Sequence, residues 1–191
     1  MNLPTKITLA RIALIPVMVF FYYFTFANGI NLIISGLIYA LAGFTDYLDG
    51  HLARSRNEVT DLGKFLDPIA DKVLVVAALF LIVEAKVLKP YGLGAVLSGI
   101  IVARELMIGA LRQIAASKGI VLAADRLGKT KTLFTNCSLP FLMAAGAFAA
   151  LNATLYDIIY YIGYLLFIVA VIMTIVSGAN YIIKNRKLFA R

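Results

Sequence analysis

Tryptophan is absent from the 191 residues, cysteine and histidine occur once each (Cys137 and His51), and only 10 side chains are acidic. One cysteine excludes an internal disulfide and a thiolate zinc cluster, and one histidine excludes a multi-histidine metal centre. Charged residues amount to 15% and hydrophobic ones to 62%, whereas soluble domains hold about 25% and about 45–50%. With a mean hydropathy of +0.91, an ordinary soluble protein is excluded. No repeat, low-complexity tract or Ser/Gly linker interrupts the chain, so residues 1–191 read as one domain. Without tryptophan, anchoring at a membrane interface falls to tyrosines such as Tyr22, Tyr23, Tyr156, Tyr160 and Tyr161.

What is present is long apolar sequence. Residues 12–45, 132–156 and 158–183 form charge-free runs of 34, 25 and 26 residues. As one helix the first run would be roughly 51 Å long, too long for a single crossing of a core about 30 Å thick. It must fold back at Asn28-Gly29, giving helices from about Ile7 to Phe26 and from about Ile30 to Arg54. No small-x-small cleavage site follows the first helix, so it reads as a span rather than a removed signal. Two further apolar segments, about Phe65–Ala85 and about Leu93–Ser117, are interrupted by charge, and Pro68 is expected in the first turn of the former. The expectation is an all-α integral membrane protein with six transmembrane helices. Cys137 is expected to pack within one of them, and His51 at the interface.

The net charge of +8 points to anionic lipid headgroups rather than nucleic acid. With a cytoplasmic N-terminus, 16 of the 18 Lys and Arg residues lie on the cytoplasmic side, leaving Lys86 and Lys89 opposite. The positive-inside rule then places both termini in the cytoplasm, in a bacterial inner (cytoplasmic) membrane.

Four acids fall where lipid should be: Asp46 and Asp49 late in the second helix, Asp67 and Asp71 early in the third. Each would cost about 2.5–3.5 kcal/mol at mid-helix, on the order of 10 kcal/mol for the set. The i,i+3 and i,i+4 spacings project each pair from one face of its helix. At about 1.5 Å per residue, Asp46 lies roughly 12 Å inward of Arg54 and Asp71 roughly 10 Å inward of Lys64, so the deep residues match. Pairing with Arg54, Lys64 or Lys72 is the alternative for any one aspartate. Four carboxylates face to face instead call for hard divalent cations, and two such ions clamp displacement at phosphorus. Gly50, Ala53 and Gly63 share those faces and either let a ligand approach the backbone or serve helix packing.

Together these residues read Asp46-x-x-Asp49-Gly50-x-x-Ala53-Arg54, eight residues, then Gly63-x-x-x-Asp67-x-x-x-Asp71. This resembles the signature of the CDP-alcohol phosphotransferases, membrane enzymes that move a phosphatidyl or related group from a CDP-linked donor to an alcohol. The resemblance implies that Asp46, Asp49, Asp67 and Asp71 hold two Mg²⁺ or Mn²⁺ ions and that Asp71 is also the general base. It further implies that Gly50, Ala53, Arg54 and Gly63 line the nucleotide pocket.

Arg104 and Arg112 lie eight apart, within about 80° on one helix, and Gly128-Lys129-x-Lys131 opens the fifth helix. Together Arg104, Arg112, Lys129 and Lys131 suit an acceptor that carries a phosphate. Pairing of Arg104 with Glu105 or Glu84, and purely topological lysines, are the alternatives. Ala103-Arg104-Glu105, Leu111-Arg112 and Gly128–Thr132 resemble the family branch whose substrates are CDP-diacylglycerol and sn-glycerol 3-phosphate, although Thr5 stands where that branch usually has Asn. Membrane lipids and a second copy of the chain, in a homodimer, are expected partners. Other acceptors, as in cardiolipin, phosphatidylinositol phosphate or phosphatidylserine synthesis, and a divalent-cation transporter, are the competing readings.

Overall fold

The computed structural model describes residues 3–24, 29–56, 61–117, 119, 126–149 and 152–185. Six long helices follow one another: α1 (Leu3–Tyr23), α2 (Ile30–Arg56), α3 (Asp61–Glu84), α4 (Tyr91–Ser117), α5 (Arg126–Ala145) and α6 (Ala153–Lys184), with a 3₁₀ turn, Gly146–Phe148, after α5. Among the described residues there is no strand. Among the described residues three helices are long and apolar enough to cross a membrane, over Lys6–Tyr23 in α1, Gly92–Ser117 in α4 and Ala153–Lys184 in α6, and α2 carries a shorter apolar stretch, Ile30–Thr45.

The helices pack in an interleaved order rather than simply neighbour to neighbour. α5 lies along α6, α2 along both α1 and α5, α1 along α3, and α4 against α6 and α3. Ser35 Oγ donates to Met18 O at 2.9 Å and Asn31 Nδ2 to Tyr22 O at 3.4 Å, an antiparallel register between α1 and α2. Tyr39 Oη donates to Asn136 Oδ1 at 2.9 Å and so ties α2 to α5. In a lipid-solvated protein such bonds and close packing hold helices together, because lipid tails are as apolar as leucine. The core consists of Met18, Tyr39, Leu79, Ile82, Ile101, Leu139, Leu142 and Phe167, all buried. Phe20, Leu37, Phe80, Leu133 and Leu165 face outward.

Several boundaries differ from those read off the sequence, because a charge-free run is not the same thing as a helix. The run 132–156 breaks after Ala145. Gly146 packs so closely on α2 that a Cβ there would lie 2.8 Å from Leu32 Cδ1, and Asn152 then caps α6 by accepting from Leu155 N at 3.1 Å. Asp157, which separates two runs in the sequence, therefore sits inside α6. α3 starts at Asp61, so Pro68 lies in the helix interior rather than in its first turn. The helix continues into the polar segment beyond the apolar one, and the proline withholds the N–H that would pair with the carbonyl of residue 64. Cys137 is exposed on the outer face of α5 rather than packed.

The α5–α6 seam depends on a residue without a side chain. A Cβ at Gly163 would come within 2.9 Å of Phe141 Cβ and 3.1 Å of the Leu142 backbone nitrogen, whereas one at Gly43 would meet nothing within 4 Å. Gly163→Ala is expected to destabilise the protein by about 1–3 kcal/mol through overpacking, and Gly43→Ala to leave it unchanged or slightly more stable. Thermal unfolding of the two purified variants in one detergent checks the contrast, and equal midpoints would contradict it.

Candidate functional site

Asp46, Asp49, Gly50, Ala53 and Arg54 belong to the last three turns of α2, and Gly63, Asp67 and Asp71 to the first three of α3. These helices pack against each other. Apart from Asp71, the side chains of these positions lie outside the described residues. Asp71 is half-buried and borders two adjoining cavities.

The larger cavity, about 360 Å³, lies where α3, α4 and α5 meet. Asp71, Lys72, Arg104, Glu105, Gly109, Arg112, Gln113 and Lys129 are among its lining residues, four of them cationic and two anionic. Three of the four basic residues singled out in the sequence thus share one wall system with Asp71. Lys131 faces the smaller cavity instead, together with Asp71, Glu105 and Asn136. Lys72, next in sequence to Asp71, reaches across to α4 because Gly109 has no side chain: a Cβ there would collide with Lys72 Nζ.

Glu105 organises the basic residues. Its Oε1 accepts from Arg104 Nη1 at 3.2 Å and also from Lys131 Nζ. The Lys131 side chain is only 3% exposed, so Glu105 supplies the counter-charge that a buried ammonium requires. The sequence left open whether Arg104 pairs with Glu105 or Glu84; it pairs with Glu105. Glu84 instead accepts from Tyr23 Oη at 3.1 Å, at the opposite end of α3.

Both arginines also reach α6. Arg104 Nη2 donates to Ser177 Oγ at 3.0 Å, and its stem crosses α6 at Gly178, where a Cβ would lie 3.3 Å from Arg104 Cγ. Arg112 Nε donates to Tyr181 Oη at 3.4 Å, with the guanidinium carbon 5.5 Å from the tyrosine ring centroid. Neither Ser177 nor Tyr181 carries a charge, so a reading of the sequence by charge passes over them. Their spacing of four residues on one face of α6 is the signal that was there.

Beside the polar cavity a groove of about 630 Å³ opens between α3 and α4. It shares Pro68, Lys72, Gly109 and Gln113 with the cavity and adds the exposed apolar side chains Ile69, Val73 and Leu106. The polar site thus has an apolar flank on the side expected to meet lipid. Among the described residues no group of three His, Cys, Asp or Glu side chains could hold a metal ion. Three of the four aspartates considered for that role have side chains outside the described set.

A family model described as CDP-alcohol phosphatidyltransferase matches residues 1–183. The chain is similar to a Bacillus subtilis (strain 168) protein named CDP-diacylglycerol--glycerol-3-phosphate 3-phosphatidyltransferase, with 36% identity over 96% of this chain and 95% of the relative. Proteins of the same name from Rickettsia bellii (strain RML369-C) and Salmonella choleraesuis (strain SC-B67) are 33% and 37% identical. They align over 98% and 95% of this chain, and over 97% and 93% of their own lengths.

The ion triad makes a direct prediction. Glu105→Gln leaves Lys131 buried without its counter-charge and should cost about 3 kcal/mol, whereas combining it with Lys131→Met should recover most of the loss. Unfolding of the two single variants and the double variant measures the coupling. Additive losses would show that Glu105 and Lys131 do not depend on each other.

Proposed function

The chain belongs to the CDP-alcohol phosphatidyltransferase family, and from that premise we propose that it transfers a phosphatidyl group from CDP-diacylglycerol to sn-glycerol 3-phosphate. CMP is released and phosphatidylglycerophosphate is formed. The observation that carries this choice of acceptor is the cavity in which Asp71 shares walls with Arg104, Arg112 and Lys129. An acceptor with its own phosphate gives those cations a partner beyond Glu105, which already holds Arg104.

In this reading the 1-hydroxyl oxygen of the acceptor attacks the β-phosphorus of the donor and Asp71 takes the hydroxyl proton. The bond between β-phosphorus and the bridging oxygen breaks, and that oxygen leaves with CMP. Arg104, Arg112, Lys129 and, from the adjoining cavity, Lys131 would hold the acceptor phosphate. Gly50, Ala53, Arg54 and Gly63 would receive the cytidine diphosphate.

Asp46, Asp49, Asp67 and Asp71 would hold two Mg²⁺ or Mn²⁺ ions. The donor set suits hard cations: four carboxylates drawn from two packed helices, without histidine or thiolate. Bound there, such ions would neutralise the diphosphate and the departing CMP.

The groove between α3 and α4 supports entry of the donor from the bilayer, with its tails left among Ile69, Val73 and Leu106. The topology that goes with this is six spans in the cytoplasmic membrane, both termini and the polar cavity facing the cytoplasm. The bias of Lys and Arg supports it.

Purified protein with Mg²⁺, CDP-diacylglycerol and sn-glycerol 3-phosphate should release CMP, and Asp71→Asn should reduce turnover by at least about 10²-fold, the low end of general-base effects. Unaltered turnover in that variant would end the base assignment. Removal of divalent ions with a chelator should abolish activity, and Mg²⁺ or Mn²⁺ should restore it; full activity in excess chelator would refute the metal reading. CMP release that accompanies inositol phosphate or serine but not sn-glycerol 3-phosphate would overturn the acceptor while keeping the reaction class.

A further inference from the structure

Arg104 and Arg112 leave α4 eight residues apart, roughly 12 Å along the axis and about 80° apart around it. Nothing in α4 itself brings two such side chains to one small anion. α6 does. It packs against α4, and the hydroxyls that receive the two guanidinium groups, Ser177 Oγ and Tyr181 Oη, belong to residues only four apart, roughly 6 Å along α6. The anchoring residues are thus set half as far apart along their helix as the arginines are along theirs.

Each anchor is itself fixed. The Ser177 hydroxyl spends its hydrogen on Thr174 O at 3.3 Å, so its lone pairs face Arg104. Tyr181 is 3% exposed; its ring lies against the Arg112 guanidinium and its hydroxyl oxygen accepts from Arg112 Nε. Gly178, between the two, leaves room for the Arg104 stem. Both arginines line the polar cavity; neither Ser177 nor Tyr181 does. Among the described residues, the Nη groups of Arg112 have no hydrogen-bond partner.

We propose that Ser177 and Tyr181 are positioning residues that converge Arg104 and Arg112 on a single acceptor phosphate, so that α6, which contributes nothing to the cavity wall, sets the requirement for a phosphorylated acceptor. The proposal rests on the reading of the cavity given above and extends it to residues that touch no substrate. An arginine side chain free to sample its many rotamers binds phosphate less well than one already held in place, and the difference appears in acceptor binding, not in chemistry at the donor.

The test uses the full-length protein in mixed micelles with CDP-diacylglycerol, Mg²⁺ and varied sn-glycerol 3-phosphate, with CMP release as readout. Tyr181→Leu should raise the acceptor KM about tenfold, a change within the range of a lost cation–π contact plus hydrogen bond, with donor KM and kcat within about twofold. Tyr181→Phe, which keeps the ring, and Ser177→Ala should each raise it about threefold, and Ser177→Thr should restore it. In an Arg112→Ala background, Tyr181→Leu should have no further effect on acceptor KM. A loss spread equally over both KM values and kcat, or an unchanged acceptor KM in Tyr181→Phe and Ser177→Ala, overturns the proposal.

A second measurement separates it from the choice of substrate. Inorganic phosphate alone should raise the unfolding temperature of the parent, and less so in Tyr181→Phe and Ser177→Ala. That pattern without turnover of sn-glycerol 3-phosphate would sink the substrate and keep the anchors. Equal phosphate stabilisation in parent and variants, or none in the parent together with no turnover, sinks the anchors. If Tyr181→Leu fails to fold, the two single-atom-scale variants carry both measurements.

Discussion

A buried ammonium in an apolar protein has to be neutralised, and here one carboxylate does it. Glu105 binds Lys131 from α5 and Arg104 from its own helix, and Arg104 goes on to Ser177 on α6. Glu105 thus joins α4 to α5 directly and, through Arg104, ties both to α6. Removing Glu105 from such an arrangement strands the charge of Lys131, whose side chain is 3% exposed, which costs far more than the pair is worth in water. The cavity's position follows from this: its α4 and α5 walls are the helices that Glu105 ties together, and its basic lining is what remains available once Glu105 has been satisfied.

The same site places charge of both signs within one small volume. Among the described residues Asp71 comes from α3 and the bases Arg104, Arg112 and Lys129 from α4 and α5, so attraction between the two sides helps close the bundle while repulsion among the bases must be relieved. Glu105 lessens that repulsion by standing among the bases, as Lys72 stands beside Asp71. What remains is a basic side suited to a phosphate, facing the Asp71 carboxylate. The proposed reaction brings two anionic substrates together, and cationic side chains offset their repulsion.

Much of the fold was legible because the physics of lipid exposure writes itself into composition. The number of helices followed from the apolar runs together with two charge-interrupted segments, and the fold-back of the first run, between Tyr23 and Ile30, from its length and a turn signal. The ends were less legible for a definite reason. Hydropathy reports where lipid stops and hydrogen bonding decides where a helix stops, so α3 runs back to Asp61 and α6 starts at the Asn152 cap before Asp157. At the site, charged residues announced themselves: Asp71, Arg104, Arg112 and Lys129 share a cavity whose walls come from three helices. The role of Glu105 was half visible, as one of two partners for Arg104, and its grip on Lys131 was not, because a contact between residues 26 apart depends on how α4 and α5 dock. Ser177 and Tyr181 were invisible to any search for charge, although they decide where two charges point.

The apolar groove beside the polar cavity joins these strands. In the proposed reaction a lipid donor and a water-soluble acceptor occupy different phases, and an enzyme that joins them must present a surface to each without letting either phase invade the other. In this chain the division falls along α3 and α4. Toward one side Lys72, Gly109 and Gln113 contribute to the polar cavity, and toward the other the same residues adjoin Ile69, Val73 and Leu106. Lys72 suits that boundary because a long aliphatic stem can lie on apolar surface while its ammonium remains with the polar groups. Gly109 matters for the same reason: any side chain there would displace the ammonium and fill the passage between the two environments. The seam between α3 and α4 is thus where apolar tails and a charged headgroup can be accommodated by one pair of helices.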